Sequence, residues 1–244
     1  MDALAFTLCG KTAFFKKPEV NTYAFFSYGN IHKIALMGLL GALMGYRGYS
    51  DWNQKSEQFP EFYEKLIGMQ CAVIPQTDHG TFAKKMQQFN NSVGYASQEE
   101  GGNLIVREQW LEDPIWRIYL LLENEVEKQV ASRILEKKAY YLPYLGKNDH
   151  PADIVETNLI QNIAVQKQFF QIHSLVLKNK ITYGDCEEYE EKAESTYKYE
   201  EALPVSFDER TCMYNHQTFV LTDFPIVGYE GEVYLAEGNN IVFF

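Results

Sequence analysis

The segment KTAFFKKP, Lys11 to Pro18, sets three lysines around two adjacent phenylalanines. Ammonium groups neutralise phosphates and aromatic faces accept unstacked bases. Lys11, Lys16 and Lys17, with Phe14, Phe15 and the nearby Tyr23, therefore have the makings of a single-stranded RNA site. The same letters also fit strand core flanked by solvated lysines, and the loop alone does not choose between the two. Arg47 follows a glycine-notched apolar run and can either cap a helix carboxyl end or reach phosphate. Gly146-Lys147 couples a glycine turn, with its open backbone N–H groups, to a positive charge. Arg107 and Gln109 close a polar excursion and join the RNA candidates, whereas Trp110 reads better as core.

Cleavage of RNA by its own 2′-hydroxyl needs a base, an acid and a cation for the phosphorane charge. His32, with Lys33 and Tyr28, is the one local triplet of that kind; His79, His150, His173 and His216 are scattered along the chain. A histidine at a helix start is more often structural, so the expected catalytic set is none, with a metal-independent ribonuclease as the alternative. A small-molecule enzyme ranks last. The chain contains no GxxxxGK[ST], no HExxH and no ligand-spaced acid and histidine set, so neither metal nor cofactor is expected.

These residues lie in a chain whose net charge is −11, which looks wrong for a nucleic-acid binder until it is mapped. Residues 1–50 hold five Lys/Arg against two acids, a balance of +3, while residues 151–244 hold six against sixteen. The acids concentrate in Asp185 to Glu201, which reads as a solvated segment or, less simply, a repulsive fence. Binding depends on local rather than net charge. Cys9, Cys71, Cys186 and Cys212 are too far apart for a zinc ribbon and suit a reducing compartment. The apolar run Ile34 to Tyr46 is too short to span a bilayer and the amino terminus lacks a basic n-region, so a cytoplasmic protein is expected.

The elements that must position the candidates follow from periodicity. Ala3 to Cys9 reads as an opening strand. The run from Ile34 reads as a helix whose Gly38, Gly41 and Gly45, spaced by three and four, form one ridge for close packing. Gln70 to Pro75 is a strand, residues 76–103 a long excursion or protruding hairpin, and Leu104–Trp110 and Ile115–Glu123 further strands. Val126, Val130 and Ile134 mark one face of a helix over Glu123–Lys138. A turn-rich loop, Tyr140 to Ile154, then leads into Val155 to Val165. The expectation is an α+β fold: a ferredoxin-like (RRM-like) βαββαβ domain over 1–165 with a long inserted hairpin, and a small β-rich appendage over 166–244 that carries the acidic segment.

Three motifs carry a family resemblance. FTLCGKTAFFKKP, MGLLGALMGY and YLPYLGKNDHPADI resemble landmarks of a CRISPR-associated family, the fifth Cas protein family of the repeat-associated RNA-binding (RAMP) superfamily, in its subtype I-B (Hmari) flavour. The matching positions are Gly10, Ala13, Phe15 and Lys17, then Gly38 to Gly45, then Tyr144, Leu145, Gly146, Lys147, Pro151 and Ala152. The resemblance implies a non-catalytic subunit of a type I Cascade surveillance complex, serving antiviral defence. It would bind and cap the 5′ handle of CRISPR RNA. It would touch a backbone subunit of the seventh Cas family and a large subunit of the eighth, would meet target DNA only indirectly, and would have no membrane partner. In one branch the resemblance implies instead an enzyme that cuts the repeat with tyrosine, lysine and histidine. The Lys-His pair of that branch has no counterpart near Arg107-Glu108.

Overall fold

The computed structural model describes residues 1–19, 23–92, 94–100, 102–184 and 197–244. Residues 185–196, with Cys186 and most of the acidic run, lie outside them. The fold is mixed α/β, mostly antiparallel sheet with few helices. In chain order the strands are β1 (Ala3–Cys9), β2 (Thr12–Ala13), β3 (Cys71–Pro75), β4 (Lys84–Asn90), β5 (Ile105–Glu112), β6 (Ile115–Leu121) and β7 (Asp153–Ile160). There follow β8 (Ala164–Val165), β9 (Val176–Leu177), β10 (Ile181–Tyr183), β11 (Lys198–Phe207), β12 (Tyr214–Thr222), β13 (Ile226–Tyr229), β14 (Tyr234–Ala236) and β15 (Asn239–Ile241). The helices are α1 (Lys33–Met44), α2 (Glu61–Leu66) and α3 (Glu125–Leu135).

The central sheet has the order β3-β6-β1-β7, and each neighbouring pair is antiparallel. Helices α1 and α2 lie in the connection from β1 to β3, and α3 in that from β6 to β7. The period of two along β1 sends its side chains to both faces. Leu4, Phe6 and Leu8 join α1, α2 and α3 in the main core, whereas Ala3 and Ala5 face a second cluster. A strand buried on both faces reads as a continuous apolar run, which is what ALAFTLC is.

The excursion is the hairpin of β4 and β5, paired from Lys84–Leu111 to Asn90–Ile105. The exposed-to-intermediate alternation of β4 shows a ribbon standing away from the core. Residues 166–244 share both cores with the first part of the chain. Leu175, Leu177, Leu203, Phe207, Phe219 and Leu221 pack in the main cluster, and Tyr234, Ala236 and Ile241 cover Ala3, Ala5, Tyr119 and Ile163 on the other face. That second sheet face is thus occupied by the chain's own carboxyl end. A bidentate pair between Arg117 and Glu237, at 2.9 and 2.6 Å, ties the β14–β15 turn down to the sheet.

Helix α1 is apolar almost all round, with Ile34, Leu36, Met37, Leu39, Leu40, Gly41 and Leu43 buried. A Cβ at Gly41 would lie 2.5 Å from the Phe62 Cβ of α2, so close packing holds for Gly41 of the ridge, against a helix rather than the sheet, while a Cβ at Gly38 would come no nearer than 3.9 Å to Phe62. Gly45 ends α1 at φ +81 in a Schellman turn, Tyr46 N donating to Gly41 O at 2.9 Å and Gly45 N to Ala42 O at 3.2 Å. Among the described residues no helix is long and apolar enough to cross a membrane.

Candidate nucleic-acid interface

The loop after β1 is held as extended chain. Thr12 and Ala13 pair with Glu112 and Leu111, Lys17 N donates to Phe26 O at 2.8 Å, and Tyr28 N donates to Phe15 O at 2.8 Å. Phe25 N donates to Arg107 O and Gln109 N to Phe25 O, which fastens the loop to the foot of the β4–β5 hairpin. This pairing turns Phe14 and Phe15 inward, each 3% exposed. Phe15 packs 5.9 Å from the Trp116 ring and 6.1 Å from that of His32; Phe14 packs 6.4 Å from His150. Expected as stacking faces for bases, both are core instead. Two adjacent aromatics in irregular extended chain do not alternate as a regular strand would, so the sequence pattern does not reveal which way they face.

The lysines point out. Lys11 is almost fully exposed beside Asp113 at 3.2 Å. Lys16 places its ammonium 3.9 Å from the Phe25 ring centre. Lys17 lies 5.3 Å from the Tyr28 ring and 3.8 Å from Glu201, whose carboxylate also accepts from Gly29 N at 2.9 and 3.0 Å. Glu201, the last residue of the acidic run, is therefore a fastener of the basic loop, on strand β11. Tyr23 is 81% exposed.

Around this loop runs a groove of about 730 Å³. Its floor is the half-buried stripe Ala35, Gly38, Ala42 and Gly45 of α1, and its walls are Phe14–Lys16, the turn Tyr46–Asp51, and Tyr141, Tyr144 and Gly146. It gathers Phe14, Phe15, Lys16, Arg47 and Gly146 of the candidate residues; Lys11, Lys17, Tyr23, Arg107 and Lys147 do not line it. The segment YYLPY is stitched to the end of α1, Tyr140 N donating to Leu43 O at 3.0 Å and Tyr141 N to Ala42 O at 3.2 Å. Tyr49, Tyr141 and Tyr144 are 54%, 56% and 44% exposed along the groove. They are the aromatic faces that sequence reasoning missed. For Tyr141 and Tyr144 the signal was there, tyrosines clustered about Pro143 in a turn too short to bury them; Tyr49, in the turn after α1, carries no such signal.

Several candidates are committed to the protein itself. Arg47 neither caps α1 nor stands open: its guanidinium meets Glu57 at 2.7 Å and Glu61 at 3.1 Å, which holds it protonated still more firmly. Gly146, at φ +87, lies so near the Phe14 carbonyl that a Cβ would meet its oxygen. The close approach it permits is to backbone, not to a ligand. Lys147 pairs with Asp149 at 3.0 Å and with buried Glu108 at 3.3 Å. Burial alone would lower its pKa, yet bonds to Asp149 and Glu108 outweigh this and raise it. Arg107, on the hairpin, donates from Nε to Gln88 Oε1 at 2.8 Å. Trp110 is half-buried, its indole donating to Glu108 at 2.8 Å.

Of the local triplet, His32 is the N-cap of α1, its Nδ1 accepting from Ala35 N at 3.2 Å. Burial, and then His216, push it down to about 3, so it stays neutral. The fold does, however, bring a second histidine that sequence distance hid. His216 of β12 lies with Nε2 2.7 Å from the Tyr28 hydroxyl, and Tyr28 packs 5.1 Å from His32. Burial pushes the Tyr28 phenol up. Among the described residues no group of three or more His, Cys, Asp or Glu is placed to hold a metal ion.

No protein-family model and no curated protein sequence matches the chain. Solved structures do. A CRISPR protein from Archaeoglobus fulgidus superposes with a TM-score of 0.53 at 9% identity, over 99% of this chain and 98% of that one. A chain of a CRISPR RNA-guided surveillance complex gives a TM-score of 0.51 at 12% identity, over 93% and 91%. At such identities the likeness is one of fold, and it runs end to end: the chain is folded like CRISPR-associated proteins.

Proposed function

We propose that this chain is an RNA-binding subunit of a CRISPR surveillance complex, a member of the fifth Cas family that holds the 5′ handle of the guide, in the manner of subtype I-B. The supporting observation is the near-complete correspondence with a chain of a CRISPR RNA-guided surveillance complex. In this reading β1, β3, β6 and β7, with helices in the β1–β3 and β6–β7 connections, would form a ferredoxin-like βαββαβ domain interrupted by the β4–β5 hairpin; the antiparallel order β3-β6-β1-β7 supports it. In this proposal the groove over α1 receives the handle: the small residues of α1 admit the sugar-phosphate chain, Tyr49, Tyr141 and Tyr144 stack bases, Lys16 meets phosphate in the groove, and Lys11, outside its lining, meets phosphate where the strand runs on along the loop. Backbone and large subunits of the seventh and eighth Cas families are the proposed protein partners. The test is to extract RNA from the purified protein and map its 5′ ends. One discrete small RNA with a uniform 5′ end is expected; heterogeneous RNA, or none together with no binding of repeat RNA, would overturn the proposal.

A second reading, a metal-independent ribonuclease, is favoured by one observation, the Tyr28–His216 contact with Lys17 beside it. There His216 would take the 2′-hydroxyl proton, Tyr28, kept protonated by burial, would give a proton to the departing 5′-oxygen, and Lys17 would face the phosphorane charge. We expect no cleavage. Metal-free incubation of repeat RNA with the protein and with His216→Ala decides: site-specific cutting lost in the variant establishes the enzyme.

A further inference from the structure

The geometry points to a docking site for an extended, acidic protein segment along β7, distinct from the groove proposed for RNA. Strand β7 ends the central sheet. It pairs with β1 on one side and, among the described residues, with no strand on the other. The opposite edge is different, since β3 is closed by Phe244, which exchanges bonds with Cys71 at 3.0 and 3.2 Å, and by Leu175 N donating to Val73 O at 2.8 Å. An unpaired edge offers a row of backbone donors and acceptors to any strand that reaches it, and natural sheets usually blunt such edges. Here the blunting is partial. A bulge at Glu156, with φ +50, breaks the ladder to β1, but Val155 and Leu159 remain 43% and 42% exposed.

Beside the edge lies a groove of about 490 Å³ between β7 and the end of α3. Its apolar lining includes Leu43, Ile134, Pro143 and Ile154, and its cations are Arg133, Lys137 and Lys138. Lys138 pairs with Glu136 at 2.7 Å; among the described residues neither Arg133 nor Lys137 has a carboxylate within ion-pair distance. The one acid in the lining, Glu156, accepts the Thr7 hydroxyl at 2.7 Å. Unanswered cations in a chain of net charge −11 call for a carboxylate-bearing occupant. A polypeptide suits the site better than RNA, because an open strand edge and aliphatic lining bind extended peptide, while single-stranded RNA sites stack bases on aromatics, which this groove lacks.

The experiment titrates the full chain with labelled eight-residue peptides of alternating valine and glutamate, valine and lysine, and the glutamate peptide N-methylated at alternate amides, beside a single-stranded RNA octamer. The glutamate peptide is expected to bind about tenfold or more tightly than the lysine peptide, and to lose about tenfold on N-methylation or on Arg133→Glu/Lys137→Glu. A charge-matched control, Lys55→Glu/Lys167→Glu, should leave binding unchanged. Amide exchange over residues 153–160 should slow when the glutamate peptide is bound. Equal binding of both peptides, preference for the RNA octamer, indifference to N-methylation, or unaltered exchange in β7 would each overturn the proposal.

Discussion

His32 shows how one buried side chain sets a pH response. Folded, it is held neutral down to about 3; unfolded, it returns to the ordinary 6.5. Its lowered pKa means that the unfolded chain binds the proton first, so stability present above pH 6.5 is lost as pH falls toward 3, by up to about 1.4 kcal/mol per unit. Burial lowers His150 and His173 in the same direction, so the measurement must be differential. Asparagine keeps an N-cap acceptor but does not titrate. Urea unfolding at pH 7.5 and 5 should show His32→Asn losing less stability than the parent, by about 2 kcal/mol; equal losses would mean that His32 does not carry the response. At the groove, Tyr141→Ala should weaken handle RNA by about 1–3 kcal/mol, the usual effect of removing one stacking face, with little change in melting temperature. Phe15→Leu should do the reverse, lowering the melting temperature while sparing affinity, because Phe15 packs against Trp116. A loss of RNA affinity with Phe15→Leu at unchanged stability would restore the stacking role.

Helix α1 joins the core to the groove, and its two sides make different demands. Its buried side admits α2 at Gly41, so Gly41→Leu should overpack against Phe62 and cost about 1–3 kcal/mol or more in denaturant unfolding; a rise in melting temperature would refute the packing. At α3, Asn124 accepts from Val126 N and Glu127 N while Glu127 reaches back, a capping box whose loss in Asn124→Ala should cost about 1 kcal/mol. These elements were legible in sequence because each has a local cause: continuous apolar letters for β1, glycine spacing for α1, and the Val126, Val130, Ile134 face for α3. Short α2 has no such period. The inward turn of Phe14 and Phe15 depends on bonds to the Leu145 carbonyl, the Ser27 hydroxyl and the Tyr28 N–H, partners that no local pattern marks. The meeting of Tyr28 with His216 spans 188 residues, and no local pattern could announce it.

Across the whole molecule, charge decides where a polyanion can sit. The net charge of −11 repels RNA in general, so binding must rest on cations that no carboxylate answers or that only a highly exposed, solvent-screened one does. Arg47 is held by Glu57 and Glu61, Lys147 by Glu108 and Asp149, and Lys17 stands near Glu201. Lys16, over Phe25 at the groove, and Lys11, beside highly exposed Asp113, are the two most able to exchange their partners for phosphate. On single strands each neutralised phosphate contributes about 0.7 to the slope of log K against log salt. Lys11→Gln/Lys16→Gln should therefore flatten the slope by roughly 1.4 for handle RNA titrated across a range of salt. Lys178→Gln/Lys198→Gln, which removes two cations clustered on Glu200 in the acidic third, should leave it unchanged. A slope indifferent to the first pair would move the phosphate contacts away from the amino-terminal loop. A slope that responds equally to both pairs would show diffuse attraction rather than a seated strand.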